Sequence, residues 1–174
     1  RLRYRACVPM KGKLTQVLSA CPPRRRLAML LVLLMMLLTL AFIWGNSLDS
    51  RETSRQKSDL VARLVMPALH AVLGPFVARE AIDGIDIRKI AHFAEFFLLG
   101  AEAALLFVLV RPYLAVPVYA LFLFALGVAI CDELLQFVSM RAPMLKDAVL
   151  DMAGASAGIS ASLLLACARR GKEG

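Results

Sequence analysis

No nucleophile motif, glycine-rich phosphate loop or zinc signature occurs in the 174 residues, so the sequence offers no ready-made catalytic or nucleotide-binding element. Cysteine is sparse. Cys7, Cys21, Cys131 and Cys167 stand far apart with no C-x-x-C pair, which argues for unpaired thiols and against a disulfide framework. Charge of either sign is missing from the whole run Leu27 to Trp44. What fills the chain instead is apolar: 60% of residues, with a mean hydropathy of +0.70, which soluble domains of this length seldom reach. One membrane domain is the economical reading.

The apolar runs place about four spans, near 27–44, 90–110, 113–131 and 148–168, each close to the roughly 20 residues a helix needs to cross a hydrocarbon core. A cleaved signal peptide is the rival for the first, because Gly45-Asn46-Ser47 offers small residues after it. The length of the run and Trp44, placed as an interfacial anchor, favour a span. Arg111-Pro112 separates the second and third, a connection that implies an antiparallel pair. The expected fold is all-α: a polytopic bundle with one further helix on its outer face.

The net charge is +8, which would suit nucleic acid, anionic lipid or topology. Its distribution favours topology. Arg1, Arg3, Arg5, Lys11, Lys13 and Arg24 to Arg26 make a basic N-terminal segment, 1–26, and Arg169, Arg170 and Lys172 a basic tail, 169–174; both flank spans and lack acidic neighbours. These mark the cytoplasmic side, so both termini and the turn at Arg111 are expected there, with no nucleic-acid partner. Met10 offers a start that would make the first nine residues dispensable. The segment 45–86 mixes acidic and basic residues and suits the outer side. Within it Leu60, Val61, Leu64, Val65, Ala68, Leu69, Val72 and Leu73 recur at helical spacing, as in a helix bedded in the headgroup region, bent at Pro67 and ended at Gly74-Pro75.

Three sets of ionisable residues then converge on the outer end of the bundle. Arg88, His92, Glu95 and Glu102 share one sector of the second span. Asp132 and Gln136 share a face of the third, with Glu133 beside them. Asp147 and Asp151 share a face of the fourth with Gly154 and Gly158, small residues that admit a close helix neighbour. Charges at such depth are costly unless they pair or meet water, so they should face one another. The bland reading is an ion-pair and hydrogen-bond network that locks the four helices together, with Arg88, Lys89, Arg141 and Lys146 roughly balancing the carboxylates. The functional reading is a pocket. Arg88, Lys89 and Arg141, with Gln136, suit a phosphate or carboxylate headgroup. Asp132, Glu133, Asp147 and Asp151 are the candidate ligands for a divalent cation, and His92, Glu95, Asp132 and Glu133 the candidate acids and bases. A structural His92 bonded to Glu95 or Asp132 is an equal alternative, and His70 has no assigned role.

At these residues the chain resembles the VanZ-like family of small bacterial membrane proteins. The likeness is carried by Trp44-Gly45-Asn46-Ser47; by Arg88-Lys89 with His92-Phe93 and Glu95; and by Asp132-Glu133, Gln136, Arg141, Asp147, Asp151 and Gly154 in that order. Ala142-Pro143-Met144-Leu145 departs from a loop usually richer in glycine and serine. The resemblance implies a four-span fold in the bacterial inner membrane. The family's founding member is associated with low-level resistance to teicoplanin, which suggests envelope chemistry at the outer face; no reaction or cofactor comes with the resemblance.

Three functions follow as expectations. The first is a non-enzymatic protein whose partners are membrane lipids or a cell-wall precursor, bound by an anionic headgroup. The second is a membrane-embedded metal- or acid/base-dependent enzyme acting on a lipid phosphate or ester. The third, a transporter with Glu102 as proton site, is weakest, because no internal repeat is visible.

Overall fold

A computed structural model describes residues 21–84, 86–139 and 145–172. The basic segment 1–20, with Cys7 and Met10, lies outside the described residues, as do Arg141 and residues 142–144. The described residues form six helices: α1 (Pro23–Leu48), α2 (Arg51–Leu73), α3 (Arg79–Asp83), α4 (Ile87–Val110), α5 (Tyr119–Val138) and α6 (Leu145–Lys172). No strand occurs among them. α1, α4, α5 and α6 are long and apolar enough to cross a membrane.

α1 begins on Pro23, where the missing N–H costs nothing and the fixed φ favours the first turn. It is 26 residues long, about 39 Å at 1.5 Å per residue, and so outreaches a hydrocarbon core of roughly 30 Å. Only Met29, Thr39, Leu40, Ile43 and Ser47 on it are buried. Leu27, Leu31, Leu34, Leu38 and Phe42 are all more than half exposed and fall on one side, the face turned to lipid. Trp44, near the end of α1, is half-buried and packs against the core.

The core is built where α4 meets the other three spans, around Ile43, Phe96, Leu99, Ala104, Ala129, Ala155 and Ile159. α4 and α6 are the most intimate pair. A Cβ on Gly154 would stand 2.5 Å from the Phe93 carbonyl oxygen. One on Gly158 would strike the Phe97 carbonyl and lie 2.9 Å from the Ala101 nitrogen, and one on Gly100 would strike the Ala155 carbonyl. Glycine on both helices therefore sets the backbone separation. Lipid supplies no hydrophobic drive to such a contact, so van der Waals fit between backbones has to provide it.

The sequence placed the third span at 113–131, and this is corrected: α5 runs Tyr119–Val138. Pro112 and Pro117 have no N–H to give a helix, so the chain from Arg111 to Val118 is turn and extended connection. At the other end the apolar run stops at Cys131, but the helix does not. Asp132 and Gln136 are satisfied inside the bundle, so their polarity does not terminate it. α1, α4 and α6 likewise overrun their apolar cores by a few residues at their ends.

α2 starts at a capping Ser50, whose hydroxyl accepts the Thr53 N–H at 3.2 Å, passes through Pro67 and stops at Gly74 before Pro75. Leu60, Leu64 and Val72 stay exposed, the condition of an amphipathic helix that beds into a membrane interface. His70 Nε2, 2.8 Å from Asp83, ties its end to α3. Cys21, Cys131 and Cys167 are free thiols.

Candidate functional site

Four helix ends meet at one pole of the bundle. Asp132 lies six residues from the end of α5, Asp151 six from the start of α6 and His92 five from the start of α4, so each sits about 8–9 Å inside its helix. Ser47 arrives from the last turn of α1. Asp132, Asp151 and Ser47 have no solvent exposure, and Gln136 is 2% exposed.

Asp132 accepts at both oxygens. Ser47 Oγ donates to Oδ1, and Gln136 Nε2, one turn further along the same helix, donates to Oδ2 at 2.8 Å. The Ser139 hydroxyl donates to the Ser47 carbonyl at 3.0 Å and ties the end of α5 to α1. Asp151 is served poorly by comparison. Its Oδ1 lies 3.5 Å from His92 Nδ1, and its Oδ2 has no hydrogen-bond partner. His92 Nδ1 and one oxygen from each of Asp132 and Asp151 all fall within 4.8 Å of one another.

Of the expected ion-pair and hydrogen-bond network, the hydrogen bonds at Asp132 are present, whereas pairing of Asp132 and Asp151 with arginine or lysine is not found among the described residues. Lys89 is exposed and pairs at 3.8 Å with Asp86, the residue that caps α4. Arg88, half-buried, makes no ion pair among the described residues. The physical reason is position: Arg88 and Lys89 stand in the first turn of α4, about a turn nearer the pole than the two aspartates, where long cationic side chains remain close to water.

Glu95 lies one turn deeper on α4 and accepts from Asn46 Nδ2 at 3.2 Å. It opens with His92 and Arg88 into a cavity of about 340 Å³ between α1, α2 and α4, whose walls include Phe42, Leu60, Val61 and Ala91. Lys57 and Asp49 line its rim and engage each other at 2.5 Å. A smaller cavity of about 50 Å³ separates Arg88, Lys89 and His92 from Asp147. Of the sequence's candidates, His92, Asp132, Asp151 and Gln136 thus come together. Glu133 is half-buried on α5 and Asp147 stands a turn nearer the end of α6; neither belongs to the close donor group. Gly154 and Gly158 make their close contact within one chain.

Glu102 is separate from this group. Ten residues beyond His92, about 15 Å deeper, it accepts from the Thr39 hydroxyl at 3.1 Å and is 8% exposed. Sequence reasoning gave Thr39, Asn46 and Ser47 no role in the site. For Thr39 the usable signal was a polar residue inside an apolar run, since a polar group in a span normally has a polar partner on another helix; for Asn46 and Ser47 it was their place in the stretch that carries the family likeness.

The arrangement defines a class: a polytopic helical membrane protein whose spans close around a small buried polar group at one end. The chain matches the VanZ/LLP1 family model over residues 27–166 and belongs to that family. No curated protein and no solved structure shows a significant match to it.

Proposed function

We propose that the protein binds the anionic headgroup of an envelope amphiphile, a membrane lipid or a lipid-borne cell-wall precursor, in the cavity between α1, α2 and α4. The observation that carries this reading is the composition of that cavity. Phe42, Leu60, Val61 and Ala91 offer an apolar wall, while Asn46, Arg88 and His92 offer donors at the end of the bundle. An amphiphile at an interface presents the same two chemistries side by side. Lys57 is engaged by Asp49, so Arg88 is the cation available to a phosphate, and its planar fork suits phosphate oxygens. A cavity of about 240 Å³ near Met36, Phe107 and Phe124 is lined by apolar side chains alone and has no group to recognise a headgroup; one of about 290 Å³ has His70 and Arg79 but, with only Val77 and Gly74 beside them, lacks an extended apolar wall.

In this reading the pocket faces the outer leaflet of the bacterial cytoplasmic membrane and both termini face the cytoplasm, following the distribution of lysine and arginine. A reporter fused after Gly174 should be active only in its cytoplasmic form; activity of a periplasmic reporter there would reverse the orientation.

Native mass spectrometry of protein released from phosphatidylglycerol nanodiscs tests the headgroup reading. Wild type should retain phosphatidylglycerol over phosphatidylcholine, and Arg88→Ala should lose most of that preference, a change of about ten-fold in retention for one charge-assisted contact. Equal retention of both lipids by wild type would end it. A second reading, acid–base chemistry on a lipid ester, is favoured by His92, which lines the same cavity with Asp151 behind its ring. It predicts that His92→Ala removes turnover of a bound ester while leaving its retention intact.

A further inference from the structure

We propose that His92, Asp132 and Asp151 are the ligands of a single divalent metal ion of the first transition row, Zn²⁺ or Mn²⁺, held among α4, α5 and α6. His92 also lines the headgroup cavity, but Asp132 and Asp151 do not, and metal uptake is read without any lipid, so this site is tested separately from the headgroup reading.

The first support is the donor set. One imidazole nitrogen and two carboxylate oxygens come from three different helices and lie within 4.8 Å of one another. Metal–ligand bonds of about 2.0–2.2 Å around a tetrahedral centre place ligand atoms roughly 3.3–3.6 Å apart. The His92 Nδ1 to Asp151 Oδ1 separation of 3.5 Å is of that size and is long for a hydrogen bond. Mixed imidazole and carboxylate ligation suits the borderline cation Zn²⁺ best; Mn²⁺, though harder, sits above Mg²⁺ and Ca²⁺ in affinity for such a nitrogen-containing set.

The second support is independent of the first. Asp151 has no solvent exposure, and its Oδ2 has no partner. Buried carboxylates are ordinarily paired, hydrogen-bonded or bound to metal. Here no Arg or Lys among the described residues reaches either aspartate, so two carboxylates share one imidazole. A divalent cation balances both and lets His92 remain neutral, as ligation requires.

The third is the surrounding frame. Ser47 and Gln136 donate to the two oxygens of Asp132, leaving each oxygen a lone pair. Outer-shell donors of this kind fix the orientation of ligating carboxylates. α6 meanwhile is fixed against α4 by Gly154, one turn beyond Asp151, so the two helices that carry His92 and Asp151 cannot drift apart.

The test uses the full chain purified in detergent, stripped with EDTA, offered Zn²⁺ or Mn²⁺ alone, desalted and assayed for metal by mass spectrometry. One equivalent of at least one of the two per chain is expected. Asp151→Asn and His92→Ala should each weaken binding by more than about ten-fold. Asp59→Asn, on the exposed face of α2, should not. Uptake of neither metal by the stripped wild type overturns the proposal, as does Asp151→Asn protein that is monodisperse and binds as well as wild type. Should the variants not fold, the loaded wild type decides: ¹⁴N coupling in pulsed electron paramagnetic resonance where Mn²⁺ is bound, or imidazole scattering in zinc X-ray absorption where Zn²⁺ is bound, supports the site, and its absence for the metal taken up overturns it.

Discussion

Gly158→Leu should abolish the folded protein, whereas Gly127→Leu should be nearly silent. Both glycines lie in membrane-spanning helices, so helix propensity and hydropathy change alike in the two variants. Their surroundings differ. A Cβ on Gly158 meets the Phe97 carbonyl and stands 2.9 Å from the Ala101 nitrogen, both of them backbone atoms of α4 that cannot rotate aside. A Cβ on Gly127 meets nothing within 4 Å. Relief at Gly158 requires α6 to move bodily from α4, which breaks the neighbouring contacts of Gly154 with Phe93 and of Gly100 with Ala155. It would also draw Asp151 from His92. Overpacking usually costs about 1–3 kcal/mol, and a backbone collision that cannot relax belongs at or beyond the top of that range. Thermal melting of detergent-solubilised protein by circular dichroism, together with size-exclusion profiles, measures the difference. A Gly158→Leu protein that is monodisperse with an unchanged melting temperature would show that α4 and α6 are not packed through these glycines.

That contact is legible in the sequence, and the reason is periodicity. Asp147, Asp151, Gly154 and Gly158 fall on one side of any helix that contains them, so the small residues and the carboxylates had to face the same neighbour. The four spans were legible for a similar reason, since length and hydropathy are properties of the chain alone. Helix ends were not. The sequence read Cys131 as the end of the third span because polarity begins there, yet a helix ends where its backbone loses partners, and Asp132 and Gln136 find theirs inside. Which charges pair was not legible either. Arg88 and Lys89 stand close in sequence to His92 but remain a turn nearer the pole, and the buried aspartates take Ser47, Gln136 and His92 as neighbours. Ser47 and Asp132 are separated by 85 positions, and only the packing of α1 against α5 joins them.

Removing the carboxylate of Asp132 should be the most damaging change within the polar group. In Asp132→Ala the Ser47 hydroxyl and the Gln136 amide each lose an acceptor, and both are buried where water cannot replace it. The Ser47 hydroxyl can turn to the Ile43 carbonyl at 3.1 Å, so one unsatisfied buried donor, costing about 1–3 kcal/mol, with the accompanying cavity amounts to roughly 2–3 kcal/mol. Asp132→Asn keeps one oxygen acceptor. It should lie about midway, because its amide nitrogen confronts a second donor. The two partners can be apportioned by a double-mutant cycle. Ser47→Ala in wild type should be destabilising, whereas in the Asp132→Ala background it should cost much less, since the hydroxyl then has nothing on α5 to meet. Residues in direct contact couple by about 0.5–3 kcal/mol, which equilibrium unfolding in a mild detergent with increasing sodium dodecyl sulfate can resolve. Additivity within about 0.3 kcal/mol would separate Ser47 from Asp132. The end of α1 would then be held by the Asn46–Glu95 bond and by Ser139 on the Ser47 carbonyl, and the aspartate by Gln136.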